Sequence, residues 1–528
     1  MTWRGLIAGV AAALLWASAV QAETVLHRGN GTEPETLDIH RSSGDPESNI
    51  QRDLFEGLLM PDADARPVAA AAESWTISPD GLTYTFKLRA DGTWSDGTPV
   101  TAADFAFAWR RLVAPETNSR YAYFLWPVKN AEAISKGKLP PEAMGVAAPD
   151  PRTFVVTLEA PAAWFLSSLA HHTTYPLQRA NVGRFGTDYI RPGNLVSNGP
   201  YLLAEAVPQG HIKLVKNPRF HAAASVAIDT VYYYPTENQD SELKRFRAGE
   251  LDITYDAPDS QLPWLRENMP GELRIHPYFA TYFYIINMTV EPWKSSPALR
   301  RALVLAIDRQ IITDKISRGG ETPAFALVPP STAGHRAVEP EWAGWTQAER
   351  DAEAKRLVAE AGYGPVGKPL MFELMYNTSE NHRKIAIALA AMWQQKLGAR
   401  VTLVNQEWKV FLSTRERRAY KALVRQGWIG DYDDAHSFLT LFRSDVGSQN
   451  ASGYADPEFD RLLQAASATA DGERRARLLQ QAEAKLVADT PFIPIYTYAT
   501  KHMVSARVEG WRGNVLDQHP TRYLRLKP

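Results

Sequence analysis

Residues 83–112 read TYTFKLRADGTWSDGTPVTAADFAFAWRRL and contain both kinds of regular element that recur along the chain. Apolar side chains occupy every second position at the start, at Tyr84, Phe86 and Leu88. This period of two predicts a half-buried β-strand. After a turn signal at 96–97, Thr101 with Asp104 three residues later predicts the beginning of a helix. The stretch therefore predicts a strand and a helix of an α/β fold.

The same alternation of strand and helix signals continues in both directions, with no internal repeat. Residues 152–159 (RTFVVTLE) predict another strand, and Ser296 followed by proline predicts a helix N-terminus. Residues 382–397 and 457–488 carry helical patterns.

We predict three domains from this organisation. A discontinuous domain I consists of residues 23–55, 181–281 and 499–528, domain II of 56–180, and domain III of 282–498. A domain assembled from separated stretches requires the chain to pass between lobes more than once, which is typical of a hinge.

Bulk properties restrict the class of protein. Residues 1–22 have an early Arg4, an apolar run and a small-residue end, so we predict a secretory signal cleaved after Ala22 and a periplasmic protein. The chain has no cysteine, which argues against disulfides, thiol chemistry and a cysteine-linked lipid anchor. A net charge of −1 argues against nucleic acid as a partner.

Motifs for catalysis or metal binding are missing. HExxH, GxSxG and GxGxxG do not occur, and residues 362–368 (GYGPVGK) imitate a phosphate loop that is followed by proline instead of Ser or Thr. Because His171 and His172 are adjacent, we expect their side chains to diverge rather than share a metal. Asp433 and Asp434 are typical of a turn and a helix cap. We therefore predict no catalytic residue, no metal and no cofactor.

Seven short stretches occur in an order that points to one protein family. They are 53–59 (DLFEGLL), 94–101 (WSDGTPVT), 198–201 (NGPY), 301–309 (RALVLAIDR), 405–409 (NQEWK), 427–432 (GWIGDY) and 491–496 (PFIPIY). With them the chain resembles the family 5 extracellular solute-binding proteins of peptide ABC importers over essentially its whole mature length. The resemblance implies a two-lobed, three-domain periplasmic binding protein fold (type II, class C) with a hinged cleft between the lobes.

The resemblance also implies a function. A monomeric periplasmic subunit would capture short peptides by lobe closure and deliver them to an inner-membrane ABC permease with cytoplasmic ATPases. The peptide backbone would be held by main-chain hydrogen bonds, as an added strand. Such a protein is not an enzyme. Two hypotheses of other classes stay open, namely a peptidase with an unrecognised carboxylate site and a periplasmic chaperone.

Several residues acquire expected roles from the resemblance. Asp431 falls where the family keeps the aspartate that pairs with the peptide α-ammonium. A carboxylate that is dried when the lobes close would make a strong charge-assisted contact there. Trp428 and Trp408 fall at side-chain pockets, and Tyr121 at a further cleft contact.

The expected carboxyl end of the ligand is less well defined. Arg425, His382 and Arg318 fall where the family places positive groups that meet the carboxylates of peptides of different length. Ser43 replaces a family glutamate that contacts the ligand region, so Arg318 loses the acid with which the corresponding lysine pairs. Asp45 also departs from the family pattern.

A cell-wall peptide is an alternative ligand. Ile429 departs from the family pattern, and residues 428–432 (WIGDY) and 437–442 (SFLTLF) look closer to members that bind murein tripeptide. The extra carboxylates of that ligand would meet Arg415, Arg318 and Arg425.

Overall fold

The computed structural model describes residues 23–42, 44–364, 366–469 and 471–527, and for Trp408 and Lys409 the backbone alone. The predicted signal, residues 1–22, and Ser43 lie outside the described residues. Within the described part, no helix combines the length and the apolar composition needed to cross a membrane.

Strands and helices alternate along the chain, as the sequence predicts. The strands are β1 (Val25–Gly29), β2 (Leu59–Pro61), β3 (Pro67–Ala69), β4 (Ala72–Ile77), β5 (Thr83–Leu88), β6 (Val146–Asp150), β7 (Thr153–Thr157), β8 (Tyr201–Val207), β9 (His211–Lys216), β10 (Thr230–Tyr234), β11 (Leu273–Ile286), β12 (Thr322–Pro323), β13 (Met371–Asn377), β14 (Arg400–Gln406), β15 (Leu423–Ile429), β16 (Phe492–Met503), β17 (Val508–Glu509) and β18 (Arg525–Leu526).

The helices are α1 (Asp45–Leu54), α2 (Ala102–Val113), α3 (Ala131–Ser135), α4 (Phe165–Ser168), α5 (Arg179–Phe185), α6 (Gln239–Arg247), α7 (Leu262–Asn268), α8 (Pro297–Leu305), α9 (Arg309–Ile311), α10 (Gln347–Glu360), α11 (Glu380–Leu397), α12 (Trp408–Glu416), α13 (His436–Leu439), α14 (Pro457–Ser467) and α15 (Gly472–Asp489). A π-helix, Ile312–Ser317, follows α9 directly.

The first lobe, residues 23–272 and 504–527, contains two four-stranded sheets. Their strand orders are β1-β10-β9-β8 and β4-β5-β7-β6. The predicted alternation is confirmed in β5, where Tyr84, Phe86 and Leu88 are buried. Side chains from both sheets and from α2 belong to one hydrophobic cluster, so the predicted domains I and II share a core.

The predicted helix starts are confirmed by their capping contacts. The N–H and the hydroxyl of Thr101 both donate to Oδ2 of Asp104 at 2.9 Å. At α8 the Ser296 hydroxyl accepts the N–H of Leu299 at 3.4 Å. These contacts satisfy donors that a helix N-terminus otherwise leaves unpaired.

The second lobe, residues 282–498, is built on a six-stranded mixed sheet of order β12-β16-β11-β15-β13-β14. One face packs against α8, α10 and α11, and the other against α13, α14 and α15. The helices predicted at 382–397 and 457–488 are confirmed as α11 and as the pair α14 and α15. The central strand β15 leads into the residues at the interface between the lobes.

Two long strands connect the lobes. β11 and β16 run across the predicted domain boundaries and pair antiparallel from Leu273 opposite Met503 to Ile285 opposite Phe492. Their register shifts between Pro277 and Thr281. A second shift follows between Tyr282 and Phe283, so the ladder is interrupted twice near the place where the chain passes between the lobes. The division into three domains stays a prediction.

Candidate functional site

The loop after β15 is fixed by close backbone packing and by one hydroxyl. A Cβ on Gly430 would lie 2.0 Å from the Phe279 ring, so only glycine fits where its N–H donates to the Phe279 carbonyl at 2.8 Å. The Ser437 hydroxyl accepts the Asp431 N–H at 3.1 Å and the Trp428 Nε1–H at 3.4 Å. These contacts hold the Asp431 backbone and the Trp428 indole in place.

The carboxylate of Asp431 is half-buried between the lobes. The Tyr123 hydroxyl, from the first lobe, donates to its Oδ2 at 3.0 Å. Burial raises the pKa of Asp431 to about 7; the hydrogen bond from Tyr123 opposes this shift and the negative charge of Asp45 adds to it. The ionised carboxylate is therefore costly here and would be stabilised by a cation.

Aromatic contacts join the two lobes next to Asp431. The Trp164 ring from the first lobe stacks on His436 at a centroid separation of 3.9 Å. The guanidinium of Arg475 lies 5.7 Å from the centroid of the same indole. Phe124 meets Tyr432 edge-on at 6.1 Å. The structure is thus closed at the Asp431 end of the cleft.

Asp431 forms part of the wall of two cavities. One, of about 530 Å³, is also lined by Tyr123, Trp164 and Trp428. The other, of about 680 Å³, is lined by His171 among others. A third cavity of about 640 Å³ is reached from the Ile429 side and is lined by the residues Asp45, Tyr255, Tyr278, Tyr496 and Tyr498. The cleft is roomy on both sides of the fixed carboxylate.

Arg425 lies in a cluster of tyrosines on one face of β15. Its guanidinium carbon is 4.8 Å from the Tyr282 ring centroid, and its Nη2 donates to the Tyr498 hydroxyl at 2.8 Å. Within the described residues its Nε has no hydrogen-bond partner. A half-buried cation with an unused donor is suited to a carboxylate ligand.

His382 belongs to the same cluster of tyrosines as Arg425. Its Nδ1 lies 3.3 Å from the Tyr282 hydroxyl. Burial, together with the charge of Arg425, lowers the pKa of His382 to about 3. The ring is therefore held neutral in the ligand-free protein, and its expected role as a positive group facing a ligand carboxylate stays a prediction.

Arg415 is separated from Arg425 by the strand itself. Its Nη1 donates to Oε1 of Gln426 at 2.6 Å, and side chains at successive strand positions point to opposite faces. Burial lowers the pKa of Arg415 to about 10, and Arg425 adds to that shift. Arg415 therefore stays charged at neutral pH.

The remaining predicted site residues have different positions. Arg318 is exposed, with a left-handed backbone (φ 58) at the end of the π-helix. Asp45 is exposed and is the first residue of α1. Tyr121 packs on His171 with ring centroids 4.9 Å apart. The Ser43 contact and the Trp408 side-chain contact lie outside the described part of the chain.

The expected divergence of His171 and His172 is wrong. Their ring centroids lie 4.1 Å apart, and both rings are buried in the first lobe. Burial lowers both pKa values far below the usual histidine range, so the pair is accommodated as two neutral rings. Oδ1 of Asp434 accepts the His436 N–H at 2.8 Å, two residues along the chain, as in a turn, but the N-cap of α13 is Ala435 and not Asp434.

Sequence reasoning missed the contacts that join the lobes. Tyr123, Trp164 and His436 come from stretches that are typical of a hydrophobic core, and no spacing connects them. Only the folded chain brings Tyr123 to Asp431, 308 positions away.

Comparison with known proteins places this geometry in a family. Residues 66–450 match the model of bacterial extracellular solute-binding proteins, family 5 Middle. The periplasmic oligopeptide-binding protein OppA of Salmonella typhimurium is 41% identical, with 97% of this chain and 96% of the relative covered.

Two solved structures have the same fold. The Escherichia coli murein tripeptide binding protein MppA matches with a TM-score of 0.86 at 37% identity, covering 96% of this chain and 99% of that one. Haemophilus influenzae OppA in complex with the peptide RPPGFSPFR matches with a TM-score of 0.83 at 36% identity, with the same coverage, 96% and 99%.

Proposed function

This chain belongs to family 5 of the bacterial extracellular solute-binding proteins, and from that membership we propose that it captures short peptides in the cleft between its lobes. Asp431 pairs with the α-ammonium of the peptide. The protein works as a periplasmic monomer, delivers its ligand to an inner-membrane ABC permease with cytoplasmic ATPases, and catalyses no reaction.

The observation that carries the proposal is the state of the Asp431 carboxylate. Its pKa of about 7 means that burial disfavours the charge and that Tyr123 compensates only in part. A peptide α-ammonium in the same place would supply the missing opposite charge together with a charge-assisted hydrogen bond.

The pairing of β15 supports an extended peptide backbone. β11 pairs with β15 along its whole length, from Ile286 opposite Leu423 to Ala280 opposite Ile429. β13 pairs with β15 only at Leu423 and Val424. Beyond Val424, the β13 side of β15 therefore has no partner strand among the described residues. A peptide would add there as a strand and begin at Asp431.

The rest of the cleft supports broad selection of side chains and of length. Trp428 lines the cavity beside Asp431, and we propose Tyr121, Trp408, Asp45 and Ser43 as further contacts. The ligand carboxylate would meet Arg425, Arg415 or Arg318 according to the length of the peptide, with the neutral His382 as a hydrogen-bond partner.

Calorimetry with tri- to pentapeptides tests the amino-end contact. Asp431→Asn keeps the shape and removes the charge, and we expect it to weaken binding by at least about 2 kcal/mol, the usual scale for breaking a buried charge pair. Asp433→Asn is the matched control, since this neighbouring carboxylate accepts the Ala333 N–H at 2.9 Å instead of facing Tyr123.

N-acetylated peptides provide the complementary measurement. Acetylation removes the α-ammonium, so it should weaken binding to the wild type strongly and to Asp431→Asn much less. Equal losses in the two proteins would contradict the assigned contact. Recovery of intact peptide, checked by mass spectrometry, separates binding from the peptidase hypothesis. Failure to bind any short peptide would favour a chaperone.

A murein tripeptide is the second candidate ligand. The pKa of Arg425 is raised and that of Arg415 is lowered only to about 10, so both stay charged, and the murein tripeptide binder is among the structural matches. Extra ligand carboxylates would use cations that a simple tripeptide leaves unpaired. Competition between murein tripeptide and a neutral tripeptide is measured in the wild type and in Arg415→Gln. If murein tripeptide is the ligand, it alone should lose affinity in the variant, whereas the neutral tripeptide should bind both proteins equally.

A further inference from the structure

Three possible metal ligands meet where β16 ends and the chain returns to the first lobe. His502 is next to last in β16, and Asp517 and His519 lie in the segment that follows β17. One ligand atom from each lies within 4.8 Å of the other two. No sequence spacing links them, because the fold brings residues 15 and 17 positions apart to one place.

The three potential ligand atoms face one another. Nε2 of His502 is 2.9 Å from Oδ1 of Asp517 and 3.1 Å from its Oδ2. Nε2 of His519 is 3.0 Å from the same Oδ1. In a tetrahedral zinc site the ligand atoms stand roughly 3.3 Å apart, as follows from metal–ligand bonds of about 2 Å. A small widening of the two imidazole–carboxylate distances, with the three ligand atoms already within 4.8 Å of one another, would therefore admit the cation.

Each histidine is also oriented from behind. Nδ1 of His502 donates to the carbonyl of Thr254 at 3.1 Å, which leaves Nε2 as the ligand atom. This is the usual arrangement behind a metal-binding imidazole. The His519 ring stacks on Trp511 with centroids 3.6 Å apart. The rings are thus held in position by groups that are not ligands.

The surroundings leave room for a fourth ligand and carry charges of both signs, since Lys501 and Arg52 line the neighbouring cavities beside the acids. Asp517 is only half-buried, and it lines the cavity of about 640 Å³ together with Asp45, Asp256 and His502. A small cavity of about 40 Å³ reaches His519 as well. A water molecule or a ligand oxygen would complete the coordination from this side.

We propose that His502, Asp517 and His519 form a binding site for one divalent cation of the zinc class. Two imidazoles and one carboxylate suit Zn²⁺, Ni²⁺ or Cu²⁺, whereas Ca²⁺ and Mg²⁺ require more oxygen ligands. The site departs from the sequence-based prediction of no metal. It joins the end of β16 to the segment at 517–519 of the first lobe.

The alternative is that the three side chains bind no ion and that a proton shared between them occupies the place of the cation. Asp517 then serves as hydrogen-bond acceptor for both rings, and no ion is needed. Metal binding must displace this proton, so the measurement belongs at a pH of about 8, where displacement is easier.

Equilibrium dialysis with Zn²⁺ decides between the two. The full-length secreted chain, purified without an affinity tag, is expected to bind one Zn²⁺ per molecule. His519→Phe retains a ring to stack on Trp511 but removes a ligand, and Asp517→Asn removes the charge at the same shape. Each should weaken binding at least about tenfold. His211→Gln removes a histidine of β9 that faces Glu205 at 3.2 Å and should leave the affinity unchanged.

Two further measurements keep the test decisive. Thermal unfolding without metal identifies any variant that fails to fold, and the visible spectrum of a Co²⁺ complex reports whether imidazole and carboxylate are ligands. The proposal is overturned if the wild type binds no stoichiometric Zn²⁺, or if folded His519→Phe and Asp517→Asn both bind it as tightly as the wild type.

Discussion

The two ends of the cleft differ in how they hold charge. At the amino end a single carboxylate, Asp431, is fixed by Gly430, Ser437 and Tyr123. At the other end the cations are dispersed, with Arg425 and Arg415 on opposite faces of β15. In the proposed binding mode, one fixed point would set the direction of a bound peptide, whereas dispersed charges would leave its length free.

The strongest test of this contrast is whether the amino-end loss depends on ligand length. Asp431→Asn should weaken tri-, tetra- and pentapeptides alike, each by at least about 2 kcal/mol, or roughly 30-fold. Every peptide has one α-ammonium in the same position, so calorimetry should give parallel losses. Losses that vary with length would remove the distinction between the ends.

Lowering the pH should also weaken peptide binding, through the contact at the amino end. The ligand-free Asp431 has a pKa of about 7, so below that pH the α-ammonium must displace a proton. Affinity is expected to fall about tenfold per pH unit below 7 and to be level only from there to about 7.7, where the α-ammonium itself begins to lose its proton. Titrations at pH 5.5 and 7.5 check this, and Asp431→Asn should flatten the slope. A slope that persists in the variant would assign the effect to other groups.

The raised pKa of Asp431 also makes the free energy of unfolding depend on pH. Because the folded pKa of Asp431 lies above its ordinary value of 3.8, the folded ligand-free protein binds more protons between 3.8 and about 7. The stability contributed by the protonated carboxyl is therefore lost as the pH rises through this range. Denaturant unfolding of wild type and Asp431→Asn across the range should show the wild type alone losing this contribution.

At the carboxyl end the expected effect is smaller and depends on length. Arg425→Gln should cost about 1.5 kcal/mol, the scale of a hydrogen bond to a charged group, and only for peptides whose carboxylate reaches it. C-terminal amidation of the same peptides should abolish the difference. Arg417→Gln, at an exposed position beyond α12, serves as control. A uniform loss over all lengths would make this end a fixed point as well.

The smallest effect is expected at the contact that joins the lobes. Trp164→Leu removes the stack on His436, worth about 1 kcal/mol for such ring pairs, and should weaken all peptides about fivefold by disfavouring closure. Trp264→Leu, an exposed tryptophan beside Arg247, should have no effect. A loss confined to one peptide length would mean that Trp164 touches the ligand directly.

Local chemistry was predictable from the sequence wherever neighbours in the chain determine it. The capping pairs Thr101–Asp104 and Ser296–Leu299 follow from spacing alone, and so does the alternation in β5. The prominence of Asp431 came from the family pattern of its motif. Its contact with Tyr123 depends on how two lobes meet, which no local pattern encodes.

Electrostatic state was the least predictable property. The neutral ring of His382 results from burial beside Arg425, and these residues meet only because α11 packs near β15. His171 and His172 lie together for a similar reason. In each instance a residue type suggests a charge, and the folded surroundings decide whether the charge exists.

The interrupted ladder between β11 and β16 has a mechanical consequence. Residues 278–280 lie within its register shift, so no regular β11–β16 bond holds this short stretch. Phe279 is held instead by the N–H of Gly430 on its carbonyl at 2.8 Å and by its own N–H on the Val515 carbonyl at 2.7 Å. Opening of the lobes would therefore work against these two bonds and the local backbone dihedrals, while the regularly paired parts of the two strands move as stiff plates.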